Sequence, residues 1–426
     1  MTVNLILFED HFLDDMRPVV LTRPAFAVTC AVWSLHEVAK LASDRVGYIV
    51  RDYLRKTAAH SFKPTRPGDG PALSLPAVSL PNRSNGPTLF LNASVVPDVR
   101  YAEPLSRMLS EAQPFLCAIG QRVAAALVSP AVKIPADLTA DSVTPWLLGL
   151  GLPLRKPSPF QTLDYPFHLV KHLAGLFPAN IERRISVGRF RAIQPGVFTG
   201  EGVSIAPTAV FHPDEGPILL DDGVQVMDFA CFRGPLYVGP GSRITERASV
   251  KEFVSIGHTC KIGGEVEASV IEPYTNKQHH GFLGHGYVGS WVNLGAGTSN
   301  SDLKNTYGEI RIEHRGRRLD TGMQFFGCAI GDYSKTAINT SIFTGKIIGA
   351  SSMLYGYVGQ NVPSFCNYAK SFGQVTEIPL EQAIVTQKRM FARRKVEQTE
   401  DDIALLTAIC GLTREERMIS SDMPVL

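Results

Sequence analysis

The stretch Val238–Ile262, VGPGSRITERASVKEFVSIGHTCKI, sets an aliphatic residue at every sixth position: Val238, Ile244, Val250, Ile256 and Ile262. A period of six matches neither the helical repeat nor the two-residue alternation of an ordinary half-buried strand. It is the signature of a parallel β-helix built from hexapeptide repeats. Each hexad supplies one short strand and a turn, and three hexads close one triangular coil. The aliphatic side chain points inward and stacks on its equivalent in the next coil, which buries a continuous apolar column. Gly or Pro often follows it, as in VGPGSR, IGHTCK and IGGEVE, because tight corners exclude bulky side chains.

Working outward, Val288 and Leu294, then Ile330, Ile342, Ile348 and Leu354, are read as the same register continued. Ile193, Ile205 and Phe211 have the same period in another phase. The β-helix is therefore predicted over 186–370, interrupted around 212–236 and by a long excursion near 299–326. Residues 1–163 lack the period and read as mixed α/β. VNLILF, VGYIVRDYL and TLFLNASVVP suit strands, and AFAVTCAVWSLHEVAKLA takes on helical spacing toward its end. Residues 62–88, rich in Pro, Gly, Ser and Asn, read as a loop. PFHLVKHLAGLF predicts a connecting helix within 164–185, starting after Pro166 and stopping before Pro178. Amphipathic helices are expected in the C-terminal extension, 371–426, packed on the β-helix or on a neighbouring subunit.

A chain of 426 residues fits two or three domains. Its formal charge of +2 comes without a basic stripe, which argues against a nucleic-acid partner. The seven cysteines are scattered, with no CxxC pair. Such a set reads as reduced thiols and a cytoplasmic protein. There is no leader pattern and no apolar run of membrane length, so no membrane partner is expected.

The segment GGEVEASVIEPYTNKQHHGFLGHGYVGSWVNLGAGTSNSDLKNTYG, 263–308, resembles the GlmU-like family of sugar-phosphate nucleotidyltransferase/acetyltransferases. The family pattern NK-x-H-x-GFLG…NLGA-x-T…NLKN-x-Y is matched almost letter for letter. DTGMQFFGCAIGDYSKTAINTSIFTG continues the match, and LILFED…RPVVLTRP resembles the family's opening. The resemblance implies a nucleotidyltransferase-like α/β domain followed by a left-handed β-helix and C-terminal helices. It also implies acetyl-CoA as cosubstrate, a sugar phosphate or nucleotide sugar as partner, and a homotrimer.

On that resemblance His279 is the candidate general base, since an ammonium must lose its proton before it attacks a thioester. His280 and His285 remain competitors, and a histidine satisfied at a β-helix corner is the bland alternative. Asn293 is the candidate substrate amide, although Asn also ladders at β-helix turns. Ala296 and Gly297 would let pantetheine approach the backbone. Lys304, Asn305 and Lys277 are candidate substrate contacts, the lysines as point charges for phosphate; solvated loop positions are the competing reading. Phe282 stands where the related bifunctional enzymes carry tyrosine, so it packs without donating a hydrogen bond.

At the N-terminus the usual uridylyltransferase has a Gly-rich loop that cradles phosphates. Here LILFEDHFLDDMRPVVLTRP has no glycine. Arg17, Arg23 and Asn92 are the candidate nucleotide contacts, with the arginines gripping phosphate bidentately. Asp10 or Asp98 offers carboxylate oxygens to Mg2+, with UTP as the nucleotide; no residue set is singled out as a metal site. Three readings stand: acetyl transfer to a hexosamine phosphate or related sugar, nucleotidyl transfer with a structural β-helix, and a nucleotide-sugar-binding scaffold without catalysis.

Overall fold

The computed structural model describes residues 4–61 and 86–419, so most of the loop expected over 62–88 lies outside the described residues. The chain forms two compact units. The first runs to Met16 and then takes Thr22–Thr29 and Trp33–Asp164; the second takes Arg17–Leu21, Cys30–Val32 and everything from Tyr165.

In the first unit, strands β1 (Asn4–Phe8), β2 (Val46–Ile49) and β3 (Thr88–Asn92) run parallel. The strands β4 (Phe115–Ile119) and β5 (Arg122–Val128) add an antiparallel edge, giving the order β2-β1-β3-β5-β4. Ile6, Phe8, Ile49, Phe90, Val123 and Ala126 bury one face of this sheet against Val143 and Leu147. Helix α1 (Leu35–Ala42) starts at Ser34, whose hydroxyl accepts from the Glu37 amide while the Glu37 carboxylate accepts from the Ser34 amide. That reciprocal cap satisfies two of the free donors at the helix start. Strand order reverses between β1 and β3, and in parallel sheets ligands bind beyond the carboxyl ends of strands at such a point.

The connecting segment differs from expectation. A short turn of helix, His168–Lys171, is followed by helix α2 (Leu173–Val187), which passes through Pro178 instead of stopping before it. Proline inside a helix costs about 3 kcal/mol or more. Leu173, Leu176 and Phe177 before it, and Asn180 and Ile181 after it, are all buried, and that packing outweighs the lost bond.

The second unit is a parallel β-helix of about ten coils. Its first face is a nine-stranded sheet whose inward column runs Leu220, Val238, Ile256, Ile271, Val288, Ile330, Ile348. The second face stacks Ile205, Val226, Ile244 and Ile262. The third stacks Phe211, Phe232, Val250, Val266 and Leu283. At about 1.5–3 kcal/mol for each fully buried side chain, these columns hold the unit together.

The period is not kept as the spacing suggested. Val226 and Phe232 stack in phase with Val238, so the break expected over 212–236 narrows to a wider corner between Phe211 and Leu220. One register does not extend from Ile262 to Val288. The coil from Ile256 to its partner Ile271 spans 15 residues (271 − 256), and the next, to Val288, spans 17, against 18 for Val238 to Ile256. Ile193 is exposed on a strand that pairs antiparallel with the first coil, outside the columns. The excursion after Asn300 carries a hairpin, Arg311–His314 with Arg317–Asp320.

Two consequences matter for the site. Corners recur three residues after an inward position and take a left-handed backbone, as at Gly241 (φ 64), Tyr274 (φ 63), Trp291 (φ 61), Gly297 (φ 76) and Tyr333 (φ 66). For a side chain other than glycine this costs about 1–2 kcal/mol. Three aromatic residues on successive coils therefore occupy strained corners. Second, some inward positions are polar: Lys277 pairs with Ile262, and Asn300 with Ile342.

The C-terminal extension begins as sheet, with Gln374–Glu377 antiparallel to Cys366–Ala369. Helices α3 (Leu380–Ala392) and α4 (Glu400–Leu412) follow, with a shorter one at Arg414–Ile419. Among the described residues no helix is long and apolar enough to cross a membrane.

Candidate active site

In a β-strand the residue before an inward one points outward. On the second face that rule builds an outward row of Arg243, Lys261, Asn276, Asn293 and Lys335 on consecutive coils. Helix α3 and the turn after it border this row and leave a cleft of about 490 Å³. His279, Asn293, Lys261 and Lys335 line one side, and Arg389, Arg393 and Arg394 the other. Those are five cations, with no carboxylate among the lining residues. Low-dielectric walls carrying one sign of charge focus the field and concentrate anions.

An aromatic wall fixes one end. Tyr274 and Trp291 stack at 4.1 Å with their planes 4° apart, and Phe391 of α3 lies 4.4 Å from Trp291. Such pairs contribute about 0.5–1.5 kcal/mol beyond area burial, which helps offset the corner strain. Polar contacts fix the other end. Arg394 Nη2 donates to Asn276 Oδ1 at 2.6 Å, and Asn276 Nδ2 donates to Asn293 Oδ1 at 3.4 Å. Asn293 Oδ1 accepts that bond, and its NH2 is a donor that can be offered to a ligand.

Burial lowers the pKa of Lys335 to about 8, and its ammonium donates to the Tyr333 carbonyl at 2.7 Å. Burial also lowers Lys261, helped by the charges of Arg394, Arg243 and Arg393. Desolvation disfavours the charged form, so an anion entering the cleft relieves a penalty already present.

The three candidate histidines separate in space. His279 is exposed and lines the cleft. His280 is exposed but lies beside Gly297, where an added Cβ would come within 3.3 Å of its Nε2. His285 is held away: its Nδ1 is 2.8 Å from Asp302 Oδ2 and its ring stacks on Phe325 at 5.0 Å.

Other expected site residues lie elsewhere. Lys277 points into the core, 2% exposed, with its ammonium bound to the carbonyls of Gly263, His279 and Gly281. It therefore cannot meet a substrate phosphate. Lys304, hydrogen-bonded to the Glu309 carbonyl, and exposed Asn305 sit on the excursion, which leaves from the third face. Neither is among the cleft-lining residues. Ala296 and Gly297 form the corner after Leu294 and do not line the cleft either. Glycine is needed at 297, since a Cβ would lie 2.1 Å from Asn339 Oδ1.

At the carboxyl ends of β1 and β3 the crevice holds a buried polar network. Asn92 is fully buried and donates to Asp10 Oδ2 at 2.7 Å and to the Val123 carbonyl at 3.0 Å; its oxygen accepts from the amide and hydroxyl of Ser94. Asp10 also accepts from the Phe12 amide, and Arg122 lies 3.5 Å from it while pairing with Asp164 at 2.6 Å. Asp98 caps the turn before Arg100 and pairs with the Arg100 guanidinium. Asp10 and Asp98, the carboxylates expected to offer oxygens to Mg2+, are buried with protein partners, and Asn92, expected as a nucleotide contact, is turned into this network. Among the described residues no three acidic, His or Cys side chains cluster as metal ligands. Arg17 belongs to the second unit and Arg23 to the first.

Residues 5–184 match the family model for sugar nucleotidyl transferases. A bifunctional sugar-1-phosphate nucleotidylyltransferase/acetyltransferase of Sulfurisphaera tokodaii is 31% identical over 117 residues, 28% of this chain and 28% of that protein. The bifunctional protein GlmU of Thermotoga petrophila is 24% identical over 219 residues, 49% of this chain and 43% of its own length. The chain is similar to GlmU over part of its length. Its match spans less than half the length of these relatives. Among solved structures, an Arabidopsis UDP-N-acetylglucosamine acyltransferase aligns over 54% of this chain and 90% of its own, at 13% identity and a TM-score of 0.27.

The sequence reading missed Lys261, Lys335, Arg389, Arg393 and Arg394. The first two were findable, because each directly precedes an inward position on the second face. The arginines were visible only as the polar side of a helix, with nothing to say which surface it covers.

Proposed function

We propose that the protein is a transferase moving an acyl group, acetyl from acetyl-CoA in the simplest case, to the amine of a hexosamine phosphate or related nucleotide sugar. The observation that carries this reading is the cleft, which brings His279 and Asn293 together under five cations. Both donor and acceptor carry phosphate, and that charge pattern suits them. His279 accepts the proton that the attacking amine loses; positioned bases of this kind contribute about 10²–10⁴-fold. As the new C–N bond forms and the C–S bond breaks, the same imidazolium returns its proton to the departing thiolate. Asn293 donates from its NH2 to an oxygen of the reacting group.

Assembly belongs to this reading. Ile338, Phe343, Tyr357 and Phe372 are half or more exposed around the last coils, and isolated subunits rarely leave such a surface open. We assign it to a homotrimer contact.

The N-terminal family match favours a second reading, UTP-dependent nucleotidyl transfer in the first unit. Its glycine-free turn weighs against it. One experiment separates the two: purified protein assayed for free thiol from acetyl-CoA and for pyrophosphate from UTP, across a set of hexose and hexosamine phosphates. Thiol release dependent on an amino sugar is expected. Pyrophosphate alone would move the activity to the first unit, and neither product with any sugar would favour a binding scaffold.

A further inference from the structure

Lys277 stands in an aliphatic column. Its partner on the preceding coil is Ile262, and Leu294 follows on the next. Its neighbours in the column are aliphatic, whereas a buried ammonium costs several kcal/mol unless every proton is bound. Here every proton is bound. Nζ lies 2.8 Å from the Gly263 carbonyl, 2.9 Å from that of His279 and 2.7 Å from that of Gly281. One acceptor belongs to the previous coil and the other two bracket His280. The Thr245 hydroxyl holds the next carbonyl in line, that of Gln278, at 3.3 Å.

This is the turn that leaves the regular hexad geometry. Gly281 takes φ +125, and His279 and His280 are exposed while their chain is anchored from within. We infer that Lys277 is the positioning residue for His279, an internal cross-link that fixes the backbone from which the imidazole projects into the cleft. The inference rests on His279 acting as the base.

Even in its satisfied state the ammonium carries strain, since burial lowers its pKa to about 8 while Glu265, on the preceding coil, favours the charge. Glu265 is itself paired with Lys251 at 2.6 Å, and His279 and His280 are the other titratable groups on the same turn.

The test is Lys277→Met in the full chain, which keeps the column apolar and removes the three donors. Amide hydrogen exchange across 278–282 is expected to lose about tenfold in protection, read as local opening. The His279 ring resonances should shift. In the thiol-release assay kcat should fall by about tenfold or more with KM for acetyl-CoA nearly unchanged, the pattern of a misplaced catalytic group. A folded Lys277→Met with wild-type exchange, wild-type His279 resonances and wild-type kcat overturns the inference. If the wild-type protein releases no thiol, the acyl-transfer reading fails, while exchange and resonances still decide whether Lys277 holds the turn. Should the variant not fold, wild-type protein is compared at pH 7 and pH 9.5. Protection falling at 278–282 but not at 250–256 is then expected, and equal changes in both segments overturn the inference.

Discussion

Arg394 and Asn276 are joined by a 2.6 Å hydrogen bond that ties the turn after α3 to the second face of the β-helix. Asn276 passes the constraint to Asn293. Charge-assisted bonds of this sort contribute about 1.5–3 kcal/mol. Arg394→Ala should therefore raise KM for the acyl donor by roughly tenfold or more, with a smaller effect on kcat. Steady-state kinetics of the variant check this. An unchanged KM would remove the arm from the site.

The histidines give a sharper contrast. His279→Ala should lower thiol release by about 10²–10⁴-fold with folding intact, the range for loss of a general base. His280→Ala should leave the rate within a few-fold. His285→Ala breaks the contact with Asp302 and the stack on Phe325, so it should lower the thermal midpoint more than the rate. Circular dichroism melts beside the thiol assay separate the two effects.

Lys335 predicts opposite pH trends for binding and stability. Its pKa is lowered to about 8 in the folded chain from 10.5. The unfolded chain therefore holds more protons between those values, and stability rises with pH across that window. Binding of a phosphate-bearing ligand needs the ammonium and should weaken as pH climbs through about 8. Lys335→Met should flatten both profiles, as read by denaturant unfolding and by CoA titration between pH 7 and 10.

In the first unit, Asn92→Ala should destabilise by about 1–3 kcal/mol, since it strands the Val123 carbonyl and takes a donor from Asp10. Urea unfolding measures this. Acyl transfer by the second unit should survive under native conditions.

Much of the architecture was written in the spacing. Val238 to Ile262 sufficed for the β-helix because an inward column must recur once per hexad, whatever surrounds it. The limits were equally physical. Pro178 was read as a stop because local propensity says so, yet burial on both sides of it carries the helix through. Lys277 was read as a surface charge because lysines are seldom buried; only its pairing with Ile262 shows that it faces inward.

The same division holds for the site. By itself the sequence determined the repeat, the two-part organisation and His279 with Asn293 as the residues to examine, because periodicity and a local motif are properties of neighbours in the chain. Tertiary structure decided which charges join them. Lys335 reaches the cleft through coil stacking, and Arg389, Arg393 and Arg394 through the placement of α3, while Lys304 leaves from another face. Residues far apart in sequence share a cleft only when the coils between them set the register, and that register slips by three residues between Ile256 and Ile271.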